Sequence, residues 1–242
     1  MVTTQGHLLG GRVLYTQPAA GFRSGIEPVL LAASVPARAG EHVLEAGTGA
    51  GAALLCLSAR VPGVRGVGVE IDEPQARLAA ANASANGFSG IEIMAGRIET
   101  VAFPGLFDHA MANPPYHPPD GSVSPITERE TAKRGSDAVI RTWVGRLSGL
   151  LRGRGSVTLI LPAGLIPTCL AAMTEFSCPC TSIFPLWPKA GRPAKLVLLR
   201  GVKNARSPAR LMPGLVLHQA DGSFTEAAQA ILTGGAALTL DG

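Results

Sequence analysis

Residues 42–51 read HVLEAGTGAG, and these ten residues decide the fold. His42–Ala46 is short and apolar, as a buried strand is, and it breaks into a turn carrying Gly47, Gly49 and Gly51. Ala50–Arg60 then has helical apolar spacing and stops before Pro62. Val64–Asp72 reads as a second buried strand, and the stretch after it as a helix that opens at Pro74 and closes at Gly87. Ile91–Gly96, Leu106–Asn113 and Ser156–Pro162 supply three more strands, with a long loop and a helix around 136–151 before the last of them. Strands alternating with helices predict an α/β fold: a parallel sheet covered on both faces. Beyond a helical stretch at 163–176, segments 182–188 and 194–201 predict an antiparallel strand pair. The tail adds a short strand at Leu215–His218 and a helix from Phe224 to about Thr233. Upstream, Ile26–Ser34 has the spacing of a short helix after a loop-like start.

The turn carries a binding signal. Glycine lets the backbone bend sharply and approach a ligand with no Cβ between them. Glu70, at the end of the second strand, stands 23 residues beyond Gly47, where a carboxylate can accept from both hydroxyls of a ribose. Gly47, Gly49 and Ala52 also satisfy the dinucleotide fingerprint, so a dinucleotide and S-adenosylmethionine compete at this point. The carboxylate of Glu45 sits awkwardly beside a pyrophosphate and suits the ammonium of a methionine moiety.

At the end of the fourth strand the chain reads NPPY, Asn113–Tyr116. Proline cannot continue a central strand, so the chain leaves the sheet here, stiffened, at the carboxyl edge where open α/β sheets bind ligands. The residues suit attack by a planar amino nitrogen. Its lone pair is delocalised, and acceptors aimed at its N–H bonds help it pyramidalise, which favours the transition state over the ground state. The Asn113 side-chain oxygen and the Pro114 carbonyl are the candidate acceptors. Pro115 adds stiffness, and Tyr116 offers a face on which a base can stack. A dehydrogenase has no use for this motif.

NPPY resembles the motif of methyltransferases that modify amino-nucleobases and glutamine amides. Residues 42–162 resemble a class I S-adenosylmethionine-dependent methyltransferase core. The whole chain resembles the bacterial tRNA adenine-N6 methyltransferases, through GFRSGIEPVLLAA (21–33), PITERETAKR (125–134) and the closing segments from 185 to 232. The resemblance implies a doubly wound, mostly parallel seven-stranded sheet in one domain. A cap segment (1–41) would precede a cofactor core (42–162) and a C-terminal, substrate-side part (163–242). It implies S-adenosyl-L-methionine as cofactor, held by Glu27, Glu45, Gly47, Gly49, Gly51, Glu70, Ile71, Arg97 and Asn113. The catalytic set would be Asn113, Pro114, Pro115 and Tyr116. Two positions depart from the family: Glu27 stands where an Asp is usual, and Arg97 where an Asp contacts the cofactor's adenine amino group. Arginine donates only, so it cannot accept from that amino group.

Charge points the same way. Between Arg146 and Arg210 lie ten basic residues and one acid, Glu175, which suggests a polyanionic partner such as tRNA. Within that span Trp187, near Lys189 and Arg192, either stacks on RNA or packs under the final strands. Lys133 and Arg134 either contact phosphate or are solvated, and His117 reads as polar surface, since an amine methylated in this way needs no base. The four cysteines lack metal or redox spacing, so no metal is expected. No signal peptide is legible, and the most apolar segment, VTLILPAGLIP, is too short and too broken by proline and glycine to span a bilayer. The expected location is the cytoplasm. Two other functions remain open: N5-methylation of a release-factor glutamine, and an RNA-binding module that keeps the fold without turnover.

Overall fold

The computed structural model describes residues 2–20, 25–115 and 126–240, with the backbone alone described over 126–136. In chain order the elements are β1 (Thr3–Leu8), β2 (Val13–Pro18), α1 (Glu27–Ser34), β3 (His42–Ala46), α2 (Ala52–Arg60), β4 (Arg65–Glu70), α3 (Glu73–Ala85), β5 (Ile91–Ala95) and β6 (Phe107–Ala112). There follow α4 (Ile126–Gly149), β7 (Leu151–Pro162), α5 (Ile166–Glu175), β8 (Cys180–Lys189), β9 (Leu196–Val202), β10 (Arg210–Leu211), β11 (Leu215–His218) and α6 (Glu226–Leu232).

The main sheet has the order β10-β8-β9-β7-β6-β3-β4-β5, with β11 also on β8. β7, β6, β3, β4 and β5 are mutually parallel, and β9 lies antiparallel between β7 and β8. Seven strands with an antiparallel C-terminal pair are thus present as expected. The short β10 and β11 extend the far edge parallel to β8 and bring the sheet to nine.

Side chains alternate between two cores, one on each face. Met111, Ile160 and Leu198 point to the side of α1 and α2, whereas Ala110, Ala112, Leu159, Leu161, Val197 and Leu199 point to that of α4 and α5. A sheet buried on both faces needs apolar residues of both parities, which is why these strands read as continuous apolar runs.

The N-terminus differs from its sequence reading. Residues 3–18 form an antiparallel hairpin rather than a loop. β1 is exposed along nearly its whole length, so it carries no alternation to read, and only its pairing with β2 defines it. Helix α3 holds the hairpin in place with two asparagines one turn apart. Asn86 accepts from Leu14 N–H (2.8 Å) and donates to Leu14 O (2.7 Å), while Asn82 does the same for Thr16 (3.0 and 2.8 Å). The two side-chain amides stand in for a neighbouring strand.

Candidate functional site

β3 lies between β4 and β6, so the sheet reverses its winding between β3 and β6, and ligands of open α/β sheets bind at such a point. Ala46 pairs with Ala112, so Gly47 and Asn113 leave the sheet side by side. Two adjoining cavities open there. The larger, of about 440 Å³, is lined by Gly47, Gly49, Glu70, Ile71, Arg97, Glu99, Asn113, Pro114, Pro115 and Trp143 among others. The smaller, of about 60 Å³, lies between the turn and β2 and is lined by Glu45, Thr48, Tyr15, Gln17, Pro18 and Pro28. Gly47, Gly49, Gln75 and Asn113 border both.

The turn is built on left-handed backbone. Gly47 has φ +68°, and a Cβ there would lie 2.8 Å from the Trp143 ring, so glycine is required on both counts. Glu70 ties the turn to β4: its Oε2 accepts from Gly49 N–H (2.8 Å) and its Oε1 from Asp72 N–H (2.9 Å). Each oxygen keeps a further lone pair for a ligand hydroxyl. Ile71 is 61% exposed, an apolar side chain left bare in a cavity lining, as a surface awaiting a flat ring would be.

Glu45 is buried at 4% exposure, and Thr48 Oγ1 donates to its Oε2 at 2.6 Å. Burial pushes its carboxyl up to about 8, against the pull of the Thr48 and Leu54 hydrogen bonds and with a small push from Glu70. A carboxyl so placed is mostly protonated at pH 7 and ionises when a cation comes beside it. Asn113 supplies the second unusual group: its Oδ1 is buried and has no hydrogen-bond partner among the described residues. Buried acceptors are nearly always satisfied, so an orphan at a cavity wall marks where a ligand donor belongs.

Most of the expected site therefore comes together: Glu45, Gly47, Gly49, Glu70, Ile71, Arg97, Asn113, Pro114 and Pro115 all line one cavity or the other. Two residues do not line either. Gly51 (φ +92°) caps α2, where a Cβ would meet Ala79 of α3 at 3.3 Å, so it serves helix packing. Glu27 sits in the first turn of α1, beside Pro28, which does line the smaller cavity. Tyr116 and His117 lie outside the described residues, as do 21–24 of the cap segment and the side chains of 126–136, Lys133 and Arg134 included.

Sequence reading missed several members. Trp143 of α4 lines the larger cavity beside Gly47, and which residue it meets is a matter of packing. Glu99 lies two residues beyond Arg97, with its carboxylate 3.7 Å from the Arg97 guanidinium and in the same cavity lining. Asn82 is 3% exposed and also donates to Ala50 O at 2.9 Å, clamping the glycine turn, α3 and β2 with one amide. Asn82 inside an alanine-rich helix was the available signal, since asparagine is a poor helix former, whereas Asn86 is that helix's C-cap, an ordinary place for it. All four cysteines are buried free thiols, and no cluster of three or more metal-ligating side chains occurs among the described residues. No helix among the described residues is long and apolar enough to cross a membrane.

The donor set fits a ligand with a cationic end, a ribose and a flat base. Two carboxyls, Glu45 and Glu70, flank the turn, and Arg97, the one cation in the larger lining among the described residues, is largely exposed. A pyrophosphate would meet those carboxyls, so the dinucleotide alternative does not fit.

Comparison with known proteins agrees with this geometry. Residues 43–127 match the methyltransferase domain family. The chain is 34% identical over 160 residues to a tRNA1(Val) (adenine(37)-N6)-methyltransferase of Porphyromonas gingivalis, a match covering 60% of this chain and 61% of that protein. It is 39% identical over 79 residues to a release factor glutamine methyltransferase of Rhodospirillum rubrum, covering 33% and 24% of the two. Among solved structures, a predicted O-methyltransferase from Agrobacterium tumefaciens (protein Atu636) superposes with a TM-score of 0.72 at 21% identity, over 88% of this chain and 98% of that one. The resemblance drawn from the sequence is borne out, and the fold is the Rossmann-like methyltransferase fold.

Proposed function

We propose that the protein is an S-adenosylmethionine-dependent N-methyltransferase acting on the exocyclic N6 of an adenine in tRNA. The observation that carries this reading is the buried, unpartnered Asn113 Oδ1 at the junction of the two cavities. Glu45 would hold the cofactor's ammonium, Glu70 its ribose hydroxyls and Ile71 one face of its adenine. The Glu99 carboxylate would accept from the adenine amino group, the task that Arg97 cannot perform. When bound, the cofactor would supply an electrophilic methyl group on a sulfonium, whose sulfur would keep the electron pair of the C–S bond. The chain's own part is positional. Asn113 Oδ1 and the Pro114 carbonyl accept from the acceptor's N–H bonds and draw its lone pair out of conjugation. Pro114 and Pro115 fix the loop, and the proton released on methylation goes to water. Residues 1–41, with β2 over the smaller cavity, act as a cap on the methionine end of a single domain.

A glutamine amide is also a planar nitrogen, and the release-factor relative favours that second acceptor. Charge supports RNA instead. The β8–β9 connection lies at the same edge as Asn113, since Ala163 N–H at the end of β7 donates to Lys195 O, and it carries Lys189, Arg192 and Lys195 with no acid. The reading also puts the protein in the cytoplasm, where tRNA is. Incubation with labelled methyl donor and tRNA lacking the modification is expected to yield N6-methyladenosine in hydrolysed RNA. Label in a release factor and none in tRNA would transfer the reading to glutamine. S-adenosylmethionine binding without transfer to either would leave an RNA-binding module.

A further inference from the structure

Seven of the ten basic residues of 146–210, one run in sequence, fall into two clusters in space, while Arg146, Arg152 and Arg200 are engaged elsewhere. β7 and β8 run in the same direction, each antiparallel to β9. Lys189, Arg192 and Lys195 therefore lie at the carboxyl edge of the sheet, with the candidate active site. Arg154, Lys203, Arg206 and Arg210 gather at the opposite, amino edge, where they line a cleft of about 650 Å³. Its walls are the start of β7, Thr181 of β8, the segment that follows β9, and β10, and no acidic residue lines it among the described residues.

The cleft is a held structure. Lys203 N–H donates to Gly155 O (2.8 Å) and Asn204 N–H to Ser177 O (2.9 Å), which ties the segment after β9 to β7 and to the turn before β8. Lys203 Nζ donates to Ser148 O at the end of α4 (2.8 Å). Arg154 and Asn204 both adopt left-handed backbone, at φ 66° and 58°, and so does Ser177 at 55°. Such residues cost conformational energy and persist where the surroundings fix them, often at functional sites. Arg154 and Arg206 stand beside Lys203 in one cleft, and a polyanion offsets the repulsion among like charges.

We propose that this amino-edge cleft is a second contact for the RNA substrate and binds its phosphate backbone. Arg154 lies in a bulge of β7 level with Asp108, four residues before Ala112 at the active-site end of β6. At roughly 3.3 Å per residue the two sites lie about 13 Å apart along the strands. A mononucleotide cannot occupy both, whereas a folded RNA can, so the cleft selects for a large structured substrate. The inference rests on the tRNA reading above.

The test is the double variant Arg154→Asn with Arg206→Gln, in which asparagine preserves the left-handed backbone. Binding of full-length tRNA, measured by filter retention across a salt series, is expected to weaken about tenfold at roughly 50 mM salt, and the slope of log K against log salt to fall by about 1.4–1.8. S-adenosylmethionine affinity by calorimetry and the melting temperature should stay at the wild-type values. A wild-type tRNA affinity and slope in the double variant overturns the inference and leaves the proposed function standing. Wild-type protein that binds S-adenosylmethionine but no tRNA at low salt overturns both. If the double variant melts early, Arg206→Gln alone decides: half the loss of slope supports the cleft, and an unchanged slope rejects it.

Discussion

The two ends of β6 treat polar groups in opposite ways. At the amino end, Asp108 Oδ2 accepts from His42 N–H (2.9 Å) and Oδ1 from Arg152 (2.8 Å). His109, next along, sits between Ser156 Oγ (2.8 Å) and Glu41 (3.1 Å). The side chains of Asp108 and His109 are thus both engaged. At the carboxyl end Asn113 offers a buried acceptor with no partner among the described residues, and the neighbouring strand carries near its end the buried Glu45 carboxyl, to which Thr48 donates. A satisfied network fixes a fold, and an unsatisfied one waits for something. One strand thus carries a structural end and a working end.

The strongest attempt to break that contrast removes the waiting group. Asn113→Ala is expected to lower kcat by about 10²–10³-fold while S-adenosylmethionine affinity changes by less than about threefold, if this acceptor acts as other transition-state hydrogen bonds do. Single-turnover rates and calorimetry check it, and an equal loss in both would make Asn113 structural like Asp108. Asn82→Ala comes next. It removes three hydrogen bonds that hold β2 and the glycine turn, so it should cost about 2–3 kcal/mol in urea unfolding and weaken S-adenosylmethionine about tenfold. Rescue of cofactor affinity by Asn82→Asp is not expected, because a carboxylate cannot donate to the Thr16 and Ala50 carbonyls.

Acidity sharpens the contrast by sign. For Asp108, burial alone would raise the carboxyl, but the His42 N–H and Arg152 outweigh it and hold it below the ordinary value of 3.8. Its contribution is present above pH 3.8 and is lost as pH falls through the folded value. Glu45 moves the other way, from 4.5 to about 8, so stability present below pH 4.5 is lost as pH rises towards 8. Glu45→Gln should abolish that alkaline loss, and unfolding curves at pH 5 and pH 8 would reveal it. If Glu45 holds the cofactor's ammonium as an ion, wild-type affinity should rise with pH across the same window, and the Gln variant should lack that rise. The smallest expected effect lies at the far wall of the larger cavity. Glu99→Ala should weaken S-adenosylmethionine about three- to tenfold and Arg97→Ala less than about twofold, as one neutral-partner hydrogen bond is worth. The reverse order would return the adenine contact to the position of Arg97.

Much of this site was legible before any coordinates. The glycine turn, Glu70 and NPPY announce themselves because each needs a residue type that few alternatives can replace: positive φ, a carboxylate at a strand end, a stiffened amide. The hairpin was not legible, because β1 is polar on both faces and its order comes from β2 and from two asparagine side chains on α3. Gly51 shows the limit of motif spacing. It belongs to the glycine series, yet its missing Cβ makes room for Ala79 rather than for a ligand.

By itself the sequence determined the alternation of strands and helices, the two exits at Gly47 and Asn113, and a motif suited to planar-nitrogen chemistry, since all are encoded in residues adjacent along the chain. The tertiary structure alone decided that Ala46 and Ala112 lie in register, so that the two exits meet over one cavity. It also put Trp143 against Gly47 and Glu99 in the same lining, and divided one basic run between opposite edges of the sheet. The physical reason is that strand order and direction set these distances, and both come from burying two apolar faces at once rather than from any local stretch of chain.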